Sequence, residues 1–198
     1  MPDAAFIRAF IAINLPEEVR ANLAQLQRHL KSALPGDGFR WTKPEQIHLT
    51  LKFLGDIAVD SVADLQAALQ RACAGIAPFT LRAESLGVFP DSQRPRVVWV
   101  EARGDTAVLR SLQEQVEQAT TAWREPEPRP FQAHLTLARV RKLKPPATET
   151  LRLNLREQQG EFFGSWRVAR VDLMQSKLSA AGAEYFQLAN FPLAGGQP

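Results

Sequence analysis

The stretches His48-Leu49-Thr50-Leu51 and His134-Leu135-Thr136-Leu137 are one tetrapeptide written twice, each time in an apolar, strand-like setting. Side chains alternate across a strand, so in each copy His and Thr share one face while the two leucines turn the other way into a core. Each copy then presents an imidazole, which titrates near neutral pH, beside a hydroxyl that donates to or accepts from a bound oxygen. Of the chain's three histidines these motifs use two. The third, His29, lies on a helical pattern beside Leu30 and reads as a surface residue without a role.

Working outward, the offset of 86 positions between His48 and His134 brings other segments into register. Phe10-Ile11-Ala12-Ile13-Asn14 falls on Arg96-Val97-Val98-Trp99-Val100, and Pro78 to Ala83 falls on Gly164 to Ala169. Identity is low outside the tetrapeptides, so the repeat is one of pattern. It predicts pseudo-repeats over about residues 6–90 and 92–178, a final strand at about 184–193, and one His-Thr strand on each side of a pseudo-twofold axis.

The rest of the chain alternates strands with helices. Phe6 to Asn14 reads as a buried strand; Val19, Leu23, Leu26, Leu30 and Leu34 keep helical spacing between Pro16 and the stop at Pro35. Trp41 to Pro44 reads as a turn into the first motif strand, which ends at Gly55-Asp56. A second helix carries Val62, Leu65, Leu69 and Ala72, and a strand runs from Phe79 to Phe89-Pro90. The Val97 to Val100 strand is followed by a helix from Thr106 to Trp123 and by an extended connector, Glu125-Pro126-Glu127-Pro128-Arg129-Pro130. After the second motif come a loop with Pro145-Pro146, a helix from Thr148 to Glu157, one strand over Ser165 to Lys177, another over Glu184 to Leu193, and a frayed tail from Ala194 to Pro198. Interleaving at this density predicts an α/β or α+β fold.

With 198 residues, 45% of them hydrophobic, the chain can bury a good core in one domain or in two small lobes. Its single cysteine, Cys73, excludes an internal disulfide and reads as a packing residue on the second helix. No secretion leader and no apolar run of membrane-spanning length is evident, so a cytoplasmic location is expected. The net charge of +3 is a mild basic excess, not the footprint of an obligate DNA binder. Its placement says more: Arg139, Arg141, Lys142 and Lys144 follow the second motif and Lys43 and Lys52 flank the first, a distribution suited to one or a few phosphates.

Several chemistries lack their residues. Zinc sites want three or four ligands at recognisable spacing, yet no His-x-x-x-His or Cys-x-x-Cys occurs. There is no Gly-x-Ser-x-Gly elbow for nucleophilic catalysis and no glycine-rich phosphate loop. General acid–base catalysis at phosphorus remains. In-line displacement puts attacking and leaving oxygens at opposite apices, so it needs a base on one side and an acid on the other.

Ile47-His48-Leu49-Thr50-Leu51-Lys52-Phe53-Leu54-Gly55 and Phe131-Gln132-Ala133-His134-Leu135-Thr136-Leu137-Ala138-Arg139 resemble the paired His-x-Thr-x signatures of the two-histidine phosphoesterases, specifically the bacterial RNA 2',3'-cyclic phosphodiesterases, also called 2'-5' RNA ligases. The likeness extends to Arg8-Ala9-Phe10-Ile11-Ala12-Ile13-Asn14-Leu15-Pro16, to Phe89-Pro90 with the following Arg-Pro-Arg run, and to Phe191-Pro192-Leu193. It implies an α+β, bilobal, pseudo-twofold domain over residues 1–198, with antiparallel-rich sheets flanked by helices around a central cleft. One lobe would be built from both termini and the other from the middle of the chain. No metal and no cofactor is implied. The substrate would be RNA ending in a 2',3'-cyclic phosphate or carrying a 2'-5' linkage, and the protein a monomer.

The same resemblance assigns roles. His134 would be the proton acceptor that activates water and His48 the proton donor to the departing ribose 3' oxygen, leaving a 2'-phosphomonoester; sequence gives no independent reason for that polarity. Thr50 and Thr136 would bind the non-bridging oxygens, with Arg139 adding positive charge. Strict alternation places Arg139 opposite His134 and Lys52 on the His48 face, so Lys52 is a possible substrate contact. Phe53 is another through base stacking, although beside Leu54 it reads more readily as core. Alternatives are a phosphodiesterase of small cyclic nucleotides or of an ADP-ribose cyclic phosphate, and a non-catalytic binder of RNA ends. If both histidines flank one phosphate, their catalytic nitrogens should lie roughly 6–9 Å apart and open to one cleft.

Overall fold

The computed structural model describes residues 5–34, 36–179 and 182–195; Pro35 and the last three residues of the tail lie outside them. In chain order the elements are β1 (Phe6–Asn14), α1 (Glu17–Ala33), β2 (Phe39–Trp41), β3 (His48–Ala58), α2 (Val62–Ala74), β4 (Phe79–Phe89), β5 (Val97–Gly104), α3 (Thr106–Ala119), β6 (His134–Val140), α4 (Pro145–Glu157), β7 (Phe162–Val168), β8 (Arg170–Ser179) and β9 (Gly182–Pro192). Each strand pairing is antiparallel, and the order across the sheet is β7-β4-β5-β6-β3-β1-β8-β9, with β2 on β6. The fold is α+β.

One side of this path gathers β1, β3, β8 and β9; the other gathers β4 to β7. Among the described residues, the backbone pairing of β3 with β6 is confined to Leu49 and Leu135. Beyond it the two strands diverge, and β2 takes up the edge of β6 from Ala138 to Val140. Ala169 alone separates the last residue of β7 from the first of β8, so these two strands, far apart in the order, meet at one corner.

The motif leucines Leu49, Leu51, Leu135 and Leu137 lie in one core with residues from all four helices, among them Leu23, Leu65, Leu109 and Leu151. Burying the leucines turns His48, Thr50, His134 and Thr136 to the opposite face. The helices also cross between the two sides. Gln27, buried in α1, donates its amide to Thr42 O and to Leu137 O on β6, while α3 packs against β3 and α2.

Several features differ from the sequence reading. The single strand expected over Ser165 to Lys177 is two strands, β7 on β4 and β8 on β1, because the chain changes sheet edge at Ala169. The segments Pro78 to Ala83 and Gly164 to Ala169, aligned as equivalents by the offset, are partners instead: Phe79 faces Val168 and Ala83 faces Gly164. Phe39 to Trp41 is a strand where a turn was expected from Trp41, and a tight turn over Pro44–Gln46 leads into β3. The third helix stops at Ala119, where the Thr120 hydroxyl donates back to Val116 O at 2.6 Å, and the fourth begins at Pro145, a first-turn position that proline tolerates.

Candidate active site

Both motif strands carry the same irregularity. On β3, Thr50 faces Ala12 and Lys52 faces Ile11, so Leu51 has no partner; on β6, Thr136 faces Trp99 and Ala138 faces Val98, so Leu137 has none. An unpaired extra residue is a β-bulge, and it reverses the facing of the residues that follow it, on β3 as far as a second unpaired residue, Leu54. Exposure follows: Lys52 and Ala138 are buried beside the leucines, whereas Phe53 and Arg139 are exposed on the histidine face.

Two expectations are thereby corrected. Lys52 is not in the cleft; it is 5% exposed, its ammonium 2.8 Å from the Glu117 carboxylate and donating to the main-chain carbonyls of Glu117 and Arg124. Phe53 is not core; it is 62% exposed and lies against Phe10. For Arg139 the bulge supplies what strict alternation denied, a place on the His134 face.

The Leu49–Leu135 pair sits at the centre of the site. Because the strands run antiparallel, His48 and Thr136 flank that pair on one side and Thr50 and His134 on the other, so the imidazoles occupy diagonal corners of a four-residue patch. Each ring is held the same way. Nδ1 of His48 lies 2.8 Å from Gln46 O, and Nδ1 of His134 lies 2.7 Å from Gln132 O. A carbonyl only accepts, so Nδ1 carries the proton and the neutral tautomer turns a bare Nε2 outward.

Electrostatics favour neutral rings at rest. Burial lowers the His48 pKa most, the Gln46 carbonyl works in the opposite sense, and the charge of His134 lowers it further. Burial likewise leads for His134, opposed by the Gln132 carbonyl and assisted by the Arg139 guanidinium.

Aromatic rings pack each imidazole. Phe10 stacks on His48 with centroids 4.9 Å apart and Tyr185 meets its edge at 5.5 Å; Phe89 meets His134 at 5.0 Å, with Trp99 at 6.3 Å. A cavity of about 340 Å³ opens at His48, lined also by Asn14, Lys43, Gln46, Tyr185 and Phe186. One of about 300 Å³ opens at His134, with Phe89, Trp99, Arg110, Phe131 and Gln132 in its wall. A side chain at Gly87 would overlap the Trp99 ring, so this wall needs glycine on the neighbouring strand.

The register also adjusts the repeat. Asn14 pairs with His48, but it is Glu101, not Val100, that pairs with His134, so the preceding strands match one residue later than the offset of the motifs. Among residues that the sequence reading passed over, Asn14 lines the His48 cavity with its amide held 2.8 Å from the fully buried Asp172 carboxylate. Nothing local in the sequence signals that contact, which spans most of the chain. Cys73 is buried, its thiol pushed up to about 12 by burial, and His29 is exposed. Among the described residues no cluster of three or more His, Cys, Asp or Glu side chains is placed to hold a metal ion, and no helix is long and apolar enough to cross a membrane.

Paired imidazoles with outward nitrogens, two hydroxyls and a guanidinium share one face of an antiparallel α+β fold. The chain belongs to the LigT like Phosphoesterase family, whose model matches it twice, over residues 13–99 and 101–185. It is 30% identical over 187 residues to the RNA 2',3'-cyclic phosphodiesterase of Methanothermobacter thermautotrophicus, covering 94% of this chain and 99% of that one. It is 34% identical over 194 residues to the protein of the same name from Thermus thermophilus, covering 96% and 91% respectively. A crystal structure of a Thermus thermophilus protein superposes with a TM-score of 0.79 at 33% identity, covering 96% of this chain and all of the other.

Proposed function

We propose that this protein hydrolyses RNA 2',3'-cyclic phosphate ends to 2'-phosphomonoesters. The observation that carries the reading is the matched pair of imidazoles, each pinned at Nδ1 by the carbonyl two residues before it, on one face with two threonines and Arg139. The curated relatives named for this activity, aligned over nearly the whole chain, support it.

In the proposed step, His134 Nε2 takes a proton from water as the water oxygen bonds to phosphorus. The bond from phosphorus to the ribose 3' oxygen breaks, and protonated His48 Nε2 gives its proton to that oxygen. Water and cyclic phosphate thus become a 2'-phosphomonoester and a 3'-hydroxyl, and the histidines exchange charge states. Assigning His134 as acceptor and His48 as donor is part of the proposal: burial lowers both pKa values first of all, the Arg139 charge lowers that of His134 further, and the charge of His134 does the same to His48. Thr50 and Thr136 donate to the non-bridging oxygens, where charge grows, and Arg139 adds a charge-assisted contact. Phe53 offers an exposed ring on which a base can stack. With a ribose 5' hydroxyl in place of water, the same forward step would form a 2'-5' linkage and a free 3'-hydroxyl, and its reverse would cleave one.

The working unit in this reading is a single two-lobed chain, since one copy supplies both tetrapeptides, and its setting is the cytoplasm. The test is turnover of an oligoribonucleotide ending in a 2',3'-cyclic phosphate, in the presence of EDTA, with the product assigned as 2'- or 3'-phosphate. Ring opening to the 2'-phosphate is expected; an unreacted end, or activity that depends on added metal, would contradict the proposal.

A further inference from the structure

Arg40 and Arg139 are directly opposite partners in the antiparallel pair of β2 and β6, both exposed. Opposed residues of such a pair stand on the same face with Cβ atoms roughly 4.5–5.5 Å apart, where like charges repel. The flanking pairs fix which face this is. Phe39 and Ala138 are buried in the core, and Trp41 lies under the Lys31 ammonium of α1, so the helix side is taken by their side chains and Arg40 turns to the histidine side. Neither arginine has an acidic partner among the described residues.

Two unpartnered guanidiniums set against each other weaken a three-residue strand unless an anion lies between or across them. The next observation gives direction. A Cβ at Gly182 would stand 3.5 Å from an Arg40 Nη, which puts that guanidinium beside the start of β9. Gln46 binds Ala183 O, and Glu184, Tyr185 and Phe186 continue from there into the wall of the His48 cavity. Arg40 therefore lies past Arg139, on the side of the site where the proposed proton donor meets the ribose.

We infer that Arg40 binds the phosphodiester immediately upstream of the cyclic phosphate, so that the site reads an RNA strand of two or more nucleotides rather than a lone terminal nucleotide. The inference rests on the function proposed above and names its substrate class. Arg139 serves the reacting phosphate and Arg40 the next one along, each through N–H donors that match phosphate oxygens. A mononucleoside cyclic phosphate has no second phosphate for Arg40 to hold.

The test is equilibrium binding, which is independent of turnover. A fluorescein-labelled trinucleotide ending in a 2'-phosphate is titrated with the wild type and with R40Q at several salt concentrations, and a mononucleoside 2'-phosphate is measured by competition. R40Q should weaken the trinucleotide by about tenfold more than the mononucleotide. The slope of log affinity against log salt for the trinucleotide should shrink by about 0.7, the value for one lost contact to a single strand. Equal weakening of both ligands, or an unchanged trinucleotide affinity, would overturn the assignment. Failure of the wild type to open a cyclic phosphate is a separate readout, and it would remove the activity while leaving the binding result to be judged by itself.

Discussion

Replacing Lys52 by methionine takes the charge out of a buried ion pair while keeping most of the stem. The ammonium is held 2.8 Å from Glu117, with side-chain exposures of 3% and 14%, and it also serves the carbonyls of Glu117 at 3.3 Å and Arg124 at 2.8 Å. After the change Glu117 keeps only the Gln113 amide, at 3.1 Å. Stranding one partner of a buried pair costs about 3–5 kcal/mol. For a chain of this size a urea m-value near 3 kcal/mol/M is reasonable, so the unfolding midpoint should fall by about 1–1.7 M. Adding Glu117→Leu removes the stranded charge and should recover much of that loss. Folded Lys52→Met protein should turn over substrate much as the wild type does. A midpoint shift below about 0.2 M, within the ordinary spread of surface substitutions, would refute the buried assignment, as would severe loss of turnover in a fully folded variant, the result a cleft lysine would give.

The pH profile of kcat/KM should be bell-shaped with both apparent pKa values on the acid side of free imidazole, since burial lowers each histidine. Burial leads in lowering the His134 pKa and the Arg139 charge adds to it, so Arg139→Gln should move the limb where the base loses its proton to higher pH; a limb that stays or moves down would contradict that contribution. Phe53→Ala should raise KM for RNA by about 10- to 100-fold, the scale of one base stack, with little change in the melting curve, which a core position would not allow. Thr50→Val and Thr136→Val should each lower kcat by less than either histidine change does, measured by single-turnover kinetics.

What sequence reveals here is pattern, and what it hides is register. Two copies of His-Leu-Thr-Leu disclose the faces, because leucines that share a core with four helices force the polar pair outward. Alternation then fails at one residue per motif. The bulges at Leu51 and Leu137 are created by partner strands far along the chain, so nothing near Lys52, Phe53 or Arg139 announces which side they take. The split at Ala169 does leave a mark, since the apolar positions Trp166 and Val168 give way to Val171 and Leu173 and the alternation changes phase, but only the pairing of β7 with β4 and β8 with β1 identifies that change as a move between sheet edges. Asn14 with Asp172, and Arg40 with Arg139, are likewise products of register between distant segments.

The central claim is that His48 and His134 act together as one acid–base pair on a single phosphate. Its most direct test is the chemical step of His48→Ala, His134→Ala and the double variant, measured by single turnover on an RNA ending in a 2',3'-cyclic phosphate. Each single change should slow the step by about 10²-fold or more, and the double variant should be little slower than the slower single one, because groups that act as a unit are not additive. Near wild-type rates in either single variant, or losses that simply multiply in the double, would contradict the account.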